Sequence, residues 1–319
     1  MRIFDAEATR DALPFERLVE ALRAMFAGGC QVPPRHVHEI VAPGGSALVS
    51  LIMPAWTARH YGVKTVNVAP GNAARGLPGL HAVYLLFDAV TGVPLAQLDG
   101  NVITSRRTAA ASALAASWLA RDDARHLLVV GAGAVARLLP AAYRAVRPIE
   151  RVTVWARRAE AAQALAAELR GQGFDACAAP DLGAAVAAAD IVSCATLATE
   201  PVVHGRWLRA GSHLDLIGSF TPAMREADDD CFTGATLYVD TDEALQKSGE
   251  LLGPLSRGVF ARADVRGTLA TLSRGEAAGR RSRDERTVFK SVGTALEDLA
   301  AAALVWETAT GTGPAPKPG

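Results

Sequence analysis

The sequence predicts an α/β fold, a doubly wound parallel sheet joined to a second α+β domain. Three observations predict it. From residue 126 onward, short apolar runs rich in β-branched residues alternate with Ala- and Leu-rich stretches at helical spacing. A glycine turn, Gly131-Ala132-Gly133-Ala134-Val135-Ala136, stands between the first such strand and its helix. Ahead of both, residues 47–100 carry successive strand-like runs, which predicts antiparallel pairing near the N-terminus.

Each element follows in order. Residues 14–27 place Leu18, Leu22, Met25 and Phe26 at helical spacing, and Gly28-Gly29 ends that helix. Segments 47–54, 63–70 and 81–89 read as strands, and Thr91-Gly92 as a turn into 94–100. Residues 104–120 read as a helix of small apolar side chains that pack closely, hence a central buried helix. Arg106 and Arg107 fall in its first turn, the unfavourable end for a cation, so an anion nearby is expected. Next come a strand at 126–133, a helix at 134–146, a strand at 152–156 and a helix at 160–170. A strand at 175–179, a helix at 183–189 and strands at 190–196, 213–218 and 237–240 continue the alternation. Residues 280–290 interrupt it, 291–309 read as a final amphipathic helix, and 311–319 as a frayed Pro/Gly tail.

The chain has 319 residues, 33 basic and 33 acidic side chains, and is half hydrophobic. At about 100–200 residues per domain this predicts two domains. Zero net charge gives no electrostatic reason for a nucleic-acid partner. No apolar run reaches the roughly 18 residues of a membrane span. The N-terminus carries charge from residue 2 and has no apolar leader, so a cytoplasmic protein is expected. Cys30, Cys177, Cys194 and Cys231 form no CxxC and no zinc spacing, so neither a disulfide framework nor a metal site is expected. Cys177 and Cys194 sit in strand-like runs and read as buried small hydrophobes. Only Lys64, Lys247, Lys290 and Lys317 are lysines; the other basic residues are arginine. A lysine inside an apolar segment therefore stands out.

The segment Gly131–Ala136 fits G-x-G-x-x-A in the strand–turn–helix setting that a dinucleotide site needs. Gly131 and Gly133 let the chain turn tightly, and the amides near Ala134 and Val135 approach a pyrophosphate. The next strand tip carries Ala156, Arg157 and Arg158 where NAD-binding folds place a carboxylate. Arginines there suit a 2′-phosphate, so NADPH is expected over NADH.

Three cations have unusual settings: Lys64 within a strand, Arg107 in the alanine-rich helix, and Arg35 after Pro33-Pro34. Two or three cations converging on one spot would suit a small carboxylate. Together with these, KTVNVAPGN, GLPG, DGNVITSRRTAAASALA, VGAGAVAR, ADIVSCATLATEP, GSHLDLIG and TVFKSVGTALEDLAAA resemble the ornithine cyclodeaminase/mu-crystallin family over residues 30–300. The resemblance implies a homodimer and a discontinuous substrate-binding and dimerisation domain, residues 1–120 with 285–319, beside a Rossmann domain at 121–284. It implies Lys64 and Arg107, with Arg35, as holders of the substrate carboxylate, and His81 in the pocket near the nicotinamide. Thr196, Leu197, Ile217 and Ser219 would touch the cofactor, and Val292 and Gly293 would close the site.

Within the family, ornithine cyclodeaminases carry a proton-accepting Asp after the GSHLDLIG-like strand. Phe220 stands at that position, and a phenyl ring accepts no proton. The segment SFTPAMRE instead resembles reductases of cyclic ketimines, 1-pyrroline-2-carboxylate and 1-piperideine-2-carboxylate, giving proline and pipecolate. The expected catalytic set is Lys64, Arg107 and His81. An ornithine cyclodeaminase or amino-acid dehydrogenase, and a non-enzymatic crystallin-like binder of NADPH, are the alternatives. Asp215 reads as structural, and Asp228–Asp230 as a helix N-terminus or solvated face.

Overall fold

The computed structural model describes residues 1–41 and 47–312. The chain divides into two compact units, Met1–Arg107 with Thr294–Gly319, and Thr108–Gly293.

The first unit runs β1 (Arg2–Phe4), α1 (Ala6–Asp11), α2 (Phe15–Gly28), β2 (His36–Val41), β3 (Ala47–Trp56), β4 (His60–Val68), β5 (Leu80–Asp88) and β6 (Pro94–Asp99). Helix α3 (Gly100–Leu119) leads from it into the second unit. Its six strands form one sheet in the order β1-β6-β5-β4-β3-β2. β2 to β6 pair antiparallel, as the successive runs predict, while β1 pairs parallel to β6. Gly29 ends α2 at φ 74°, its amide donating to the Met25 carbonyl, and Gly92 makes the expected turn before β6. α3 starts at Gly100, earlier than the residue 104 start that the sequence predicts, so Arg106 and Arg107 lie in its second turn. A Cβ at position 100 would lie 2.6 Å from the Ala82 carbonyl carbon, so only glycine lets the helix start so near β5.

The second unit continues with β7 (His126–Val130), α4 (Leu139–Arg144), β8 (Arg151–Trp155), α5 (Ala159–Gly171), β9 (Asp175–Ala178), α6 (Leu182–Ala188), β10 (Ile191–Cys194), β11 (His213–Leu216) and β12 (Thr236–Val239). Short helices α7 (Ala244–Lys247) and α8 (Gly249–Ser256), β13 (Val265–Thr268), α9 (Leu269–Ser273) and β14 (Thr287–Lys290) complete it. Helix α10 (Ala295–Thr310) belongs to the first unit. The eight strands form a parallel sheet in the order β13-β12-β14-β11-β10-β7-β8-β9. The chain starts at β7, turns one way to β8 and β9, then crosses to β10 on the other side. β7 and β10 therefore flank a topological switch point, where open α/β sheets bind ligands at the strands' carboxyl ends.

Four expectations need correction. Residues 280–290 do not break the sheet: Thr287–Lys290 is a fully buried strand between β11 and β12. Charged flanks and a terminal lysine hide a run of four residues, and its pairing carries the segment before Gly293 into the second unit. After the glycine turn, residues 134–138 are turns, and helix begins only at Leu139. Pro140 falls in the first turn of α4, where its missing N–H costs no bond, and so marks the start of regular helix; ahead of it Leu138 bonds back only three residues, to Val135. Cys177 is exposed, because burial alternates along the edge strand β9 and Cys177 falls with Asp175 on its exposed face. Finally α10 is not amphipathic, since every residue from Ala295 to Val305 is buried. α2, β3 and β4 all pack against α10.

The central part of α3 is buried as expected, with Ala109, Ala110, Ala113, Ala115 and Ala116 at zero exposure. From residue 313 the Pro/Gly tail lies outside the described residues. Among the described residues, no helix is long and apolar enough to cross a membrane, and no cluster of His, Cys, Asp or Glu could hold a metal ion.

Candidate functional site

Two groups of residues carry chemistry, one in each unit. In the first unit, alternation along β4 turns His60, Gly62, Lys64 and Val66 to the buried face. Lys64 is only 1 % exposed, among the largest fully buried side chains. Tyr84, opposite Lys64 on β5, fits against Gly62, where a Cβ would lie 1.9 Å from its hydroxyl.

A lysine so placed needs a counter-charge. Helix α10 supplies it: Lys64 Nζ lies 2.7 Å from Asp298 Oδ2. Arg107 of α3 reaches the same helix, donating from Nε to Asp298 Oδ1 at 2.9 Å and from Nη1 to Glu297 Oε2 at 2.6 Å. Two cations and two carboxylates thus form one buried, electrically balanced cluster. The anion that the position of Arg107 called for is this carboxylate pair. Arg106 is placed differently, donating from Nε and Nη2 to the Leu13 carbonyl and lying over the Phe15 ring.

Burial and the neighbouring Arg107 pull the Lys64 ammonium down to about 8, although Asp298 and Glu297 oppose them. Burial also works against the charge on Arg107, yet Asp298 and Glu297 hold its guanidinium above the usual value. Despite burial, Lys64 and Arg107 keep the Asp298 carboxyl below the ordinary carboxylate range. Lys64, Arg107 and Asp298 are therefore charged at neutral pH, and of these three Lys64 is nearest its titration point.

His81, expected in the same pocket, stands apart from these buried groups. His81 sits exposed at the start of β5, opposite Asn67. Arg35 is half-buried just ahead of β2. Glu297 and Asp298 are the participants that sequence reasoning missed. The signal was adjacent acids in the first turn of an otherwise apolar helix, a pattern that also suits an ordinary helix N-terminus.

In the second unit the glycine turn lies at the switch point. Gly131 has φ 124°, and a Cβ there would come within 2.6 Å of the Ala195 carbonyl oxygen beyond β10. Nothing lies within 4 Å of the Cβ position of Gly133, so this side of the turn is open. Ala134 and Val135 follow in the turn itself. Such a cradle fits the pyrophosphate of a nicotinamide dinucleotide, which approaches backbone amides where side chains are absent. At the tip of β8, Ala156 is half-buried, and Arg157 and Arg158 are exposed.

Beyond β10, Thr196 donates from both its amide and its hydroxyl to Glu226 Oε1, and Leu197 is 78 % exposed. Beyond β11, Ile217 is buried, and the Ser219 hydroxyl donates to the Met224 carbonyl. That hydroxyl serves the internal packing of its loop. Phe220 next to it is half exposed. The Val292 and Gly293 amides each donate to Asp240 Oδ2 at 2.7 Å.

Asp215 is structural, as its strand position suggested: Ser112, Tyr143 and Ser193 hydroxyls all donate to it, and burial raises its carboxyl to about 6. Asp228 precedes and Asp229 opens a single 3₁₀ turn, Asp229–Cys231, so the acidic run does stand at a helix N-terminus, though a short one. Asp228 accepts from His204 and the Gly205 amide, and Asp229 pairs with Arg225 and Arg257.

Comparison with known proteins places the chain. The ornithine cyclodeaminase/mu-crystallin family model matches residues 7–313. Delta(1)-pyrroline-2-carboxylate reductase of Paracoccus denitrificans is 46% identical over 297 residues, 92% of each chain. The structure of Thermococcus litoralis Delta(1)-pyrroline-2-carboxylate reductase in complex with NADH and L-proline superposes with a TM-score of 0.91 at 32% identity, covering 98% of each chain. An archaeal alanine dehydrogenase dimer with bound NAD has a TM-score of 0.88 at 31% identity, covering 98% of this chain and 97% of that one. With a buried lysine–arginine cluster in one unit and a glycine cradle in the other, this chain belongs to the ornithine cyclodeaminase/mu-crystallin family.

Proposed function

We propose that this protein is a nicotinamide-dependent reductase of cyclic ketimines, acting on Δ1-pyrroline-2-carboxylate and Δ1-piperideine-2-carboxylate to give proline and pipecolate. The observation that carries the reading is the pairing of Lys64 and Arg107 through one carboxylate, Asp298, in a buried setting. The 46% identity to a relative of that name supports it.

A nicotinamide dinucleotide, held at the Gly131–Gly133 turn, would supply the hydride for the imine carbon. The chain's own residues do the rest. Arg107 offers a rigid planar fork to the substrate carboxylate, and Lys64 a compact ammonium. Asp298 and Glu297 hold both cations in place, so little reorganisation remains when the substrate arrives. A balanced cluster suits a substrate that is itself balanced, an iminium bearing a carboxylate. Lys64, protonated below about pH 8, keeps positive charge and a donor beside the substrate. Phe220, where a cyclodeaminase needs a base, argues against amine oxidation as the main activity.

Arg157 and Arg158 at the β8 tip support NADPH as the preferred donor. The outer sheet face of the first unit supports a homodimer. Ile52, Pro54, Val63, Leu85 and Phe87 are only half-buried there, and Trp56, Tyr61 and Phe87 rings lie in contact on the same face. A second copy of the chain would cover these residues, and sedimentation as a single chain would remove that part of the reading.

The test is NADPH and NADH oxidation with the five- and six-membered ring imines, run beside ornithine with NAD. Turnover of either imine supports the reading. Ammonia and proline from ornithine without imine turnover would replace it.

A further inference from the structure

Glu226 is a buried carboxylate that the mechanism above leaves unused. It has no exposed surface. Its Oε1 accepts from the Thr196 amide at 2.7 Å and from the Thr196 hydroxyl at 2.8 Å, and its Oε2 accepts from the Gly218 amide at 2.6 Å. Thr196 and Gly218 each lie two residues beyond the end of a strand, β10 and β11, which are neighbours in the parallel sheet. The last backbone bond there joins the Ile217 amide to the Cys194 carbonyl. Past that bond the two chains leave the ladder, and their amides need another acceptor. One carboxylate provides it for both.

The surroundings are built for this contact. A Cβ at Gly218 would lie 1.9 Å from the Thr196 carbonyl oxygen and 2.5 Å from Glu226 Oε1, so only glycine admits the approach. Glu226 is itself anchored: its amide and that of Ala227 donate to Glu250 at 2.7 and 2.9 Å, and its carbonyl accepts from Val202 and Val203. Glu250 is also fully buried. Two carboxylates in series thus tie the segments after β10 and β11 together at the carboxyl edge of the sheet.

We infer that Glu226 is a positioning residue for dinucleotide binding, clamping the segments 196–197 and 217–219 in the spacing that receives the nicotinamide half. This rests on the proposed cofactor contacts of those segments. Among the described residues the Glu226 carboxylate bonds to Thr196 and Gly218 and not to the glycine turn, which meets the clamped segment where Gly131 packs on Ala195, so the adenine half should not depend on the carboxylate.

The experiment compares affinities for reduced dinucleotide and for ADP, which lacks the nicotinamide half, in Glu226→Gln. The amide can accept on only one side, leaving either the Thr196 or the Gly218 amide without an acceptor. The expected result is a dinucleotide Kd raised about tenfold or more with the ADP Kd unchanged. An unchanged dinucleotide Kd overturns the inference, as does an equal loss for both ligands, which marks a general structural role. Leu197→Glu, on the exposed loop, separates the two layers of the argument. If it weakens dinucleotide binding and Glu226→Gln does not, the clamp alone fails; if neither does, the placement of the nicotinamide fails with it. Should Glu226→Gln not fold, Glu250→Gln decides, a selective dinucleotide loss supporting the clamp and none overturning it.

Discussion

In the first unit, two buried cations meet two buried carboxylates side chain to side chain: Lys64 and Arg107 with Glu297 and Asp298. In the second, Asp215, Glu226, Asp240 and Glu250 are all fully buried and all act on one lysine, Lys290. These four are satisfied chiefly by backbone amides and hydroxyls. Burial raises each of them, Asp215 to about 6 and Glu250 to about 7, whereas Asp298 is held low despite burial by its two cations. A carboxylate held by amides fixes backbone in place. One held by cations fixes the cations, here the two that the proposed function assigns to the substrate carboxylate. The same residue type thus serves as scaffold in one unit and as part of the proposed site in the other.

The sharpest break in this contrast is Asp298→Ala. It strips a shared partner from two buried cations, and removing one member of a buried pair costs about 3–5 kcal/mol. Denaturant unfolding should show a loss of that size; a loss under about 1 kcal/mol would mean water reaches the cluster.

Lys64→Ala and Arg107→Ala should each lower kcat/KM at least roughly 100-fold, since each removes a charge-assisted contact to the substrate carboxylate. Near-normal rates in steady-state assays would take that residue out of the site. The lysine also carries a pH signature. Its folded-state pKa is depressed to about 8, so its charge is present below that value and lost as pH rises through it. With wild type, kcat/KM should fall about tenfold per pH unit above 8, and Lys64→Arg should shift that limb upward. A flat profile from pH 7 to 9.5 would deny the lysine's charge a role.

Asp215→Asn tests the scaffold side. One acceptor oxygen remains for three hydroxyl donors, so a stability loss of about 1–3 kcal/mol is expected, with kcat/KM nearly unchanged. The sign with pH follows from the raised carboxyl. Between the ordinary value of 3.8 and about 6, the folded wild type binds a proton that the unfolded chain has released, so this group's contribution falls as pH rises. The variant should therefore lose more, relative to wild type, at pH 4 than at pH 7. Thermal unfolding at the two pH values checks it.

The smallest effect concerns exposed charge. Arg157→Asp should reduce the ratio of NADPH to NADH efficiency about tenfold, by removing a charge-assisted contact to the 2′-phosphate. An unchanged ratio leaves Arg157 as an ordinary surface arginine.

Legibility differed by feature for physical reasons. Gly131 was readable because its φ and the nearby Ala195 carbonyl allow no side chain there, and Gly133 because it leaves the same turn open. Lys64 was readable because a charge in an apolar alternating run violates the pattern of its own strand. β14 was not, since four residues between charged flanks carry too little periodicity, and its place between β11 and β12 is a long-range pairing. Helix α4 misled because the helical spacing runs on both sides of Pro140, a residue suited to a first turn, and so hides where the helix starts.

By itself the sequence determined what local chemistry can encode: alternating parallel architecture, a glycine cradle, and two cations out of place. Only the tertiary structure decided their partners. Arg107 finds Asp298 at 191 residues' separation, and Glu226 reaches Thr196 across 30. Spacing along a chain governs which face a side chain takes, but which distant face it meets depends on how the sheets and helices pack. An acidic side chain that looks solvated in sequence becomes the clamp of a site once packing removes water from around it.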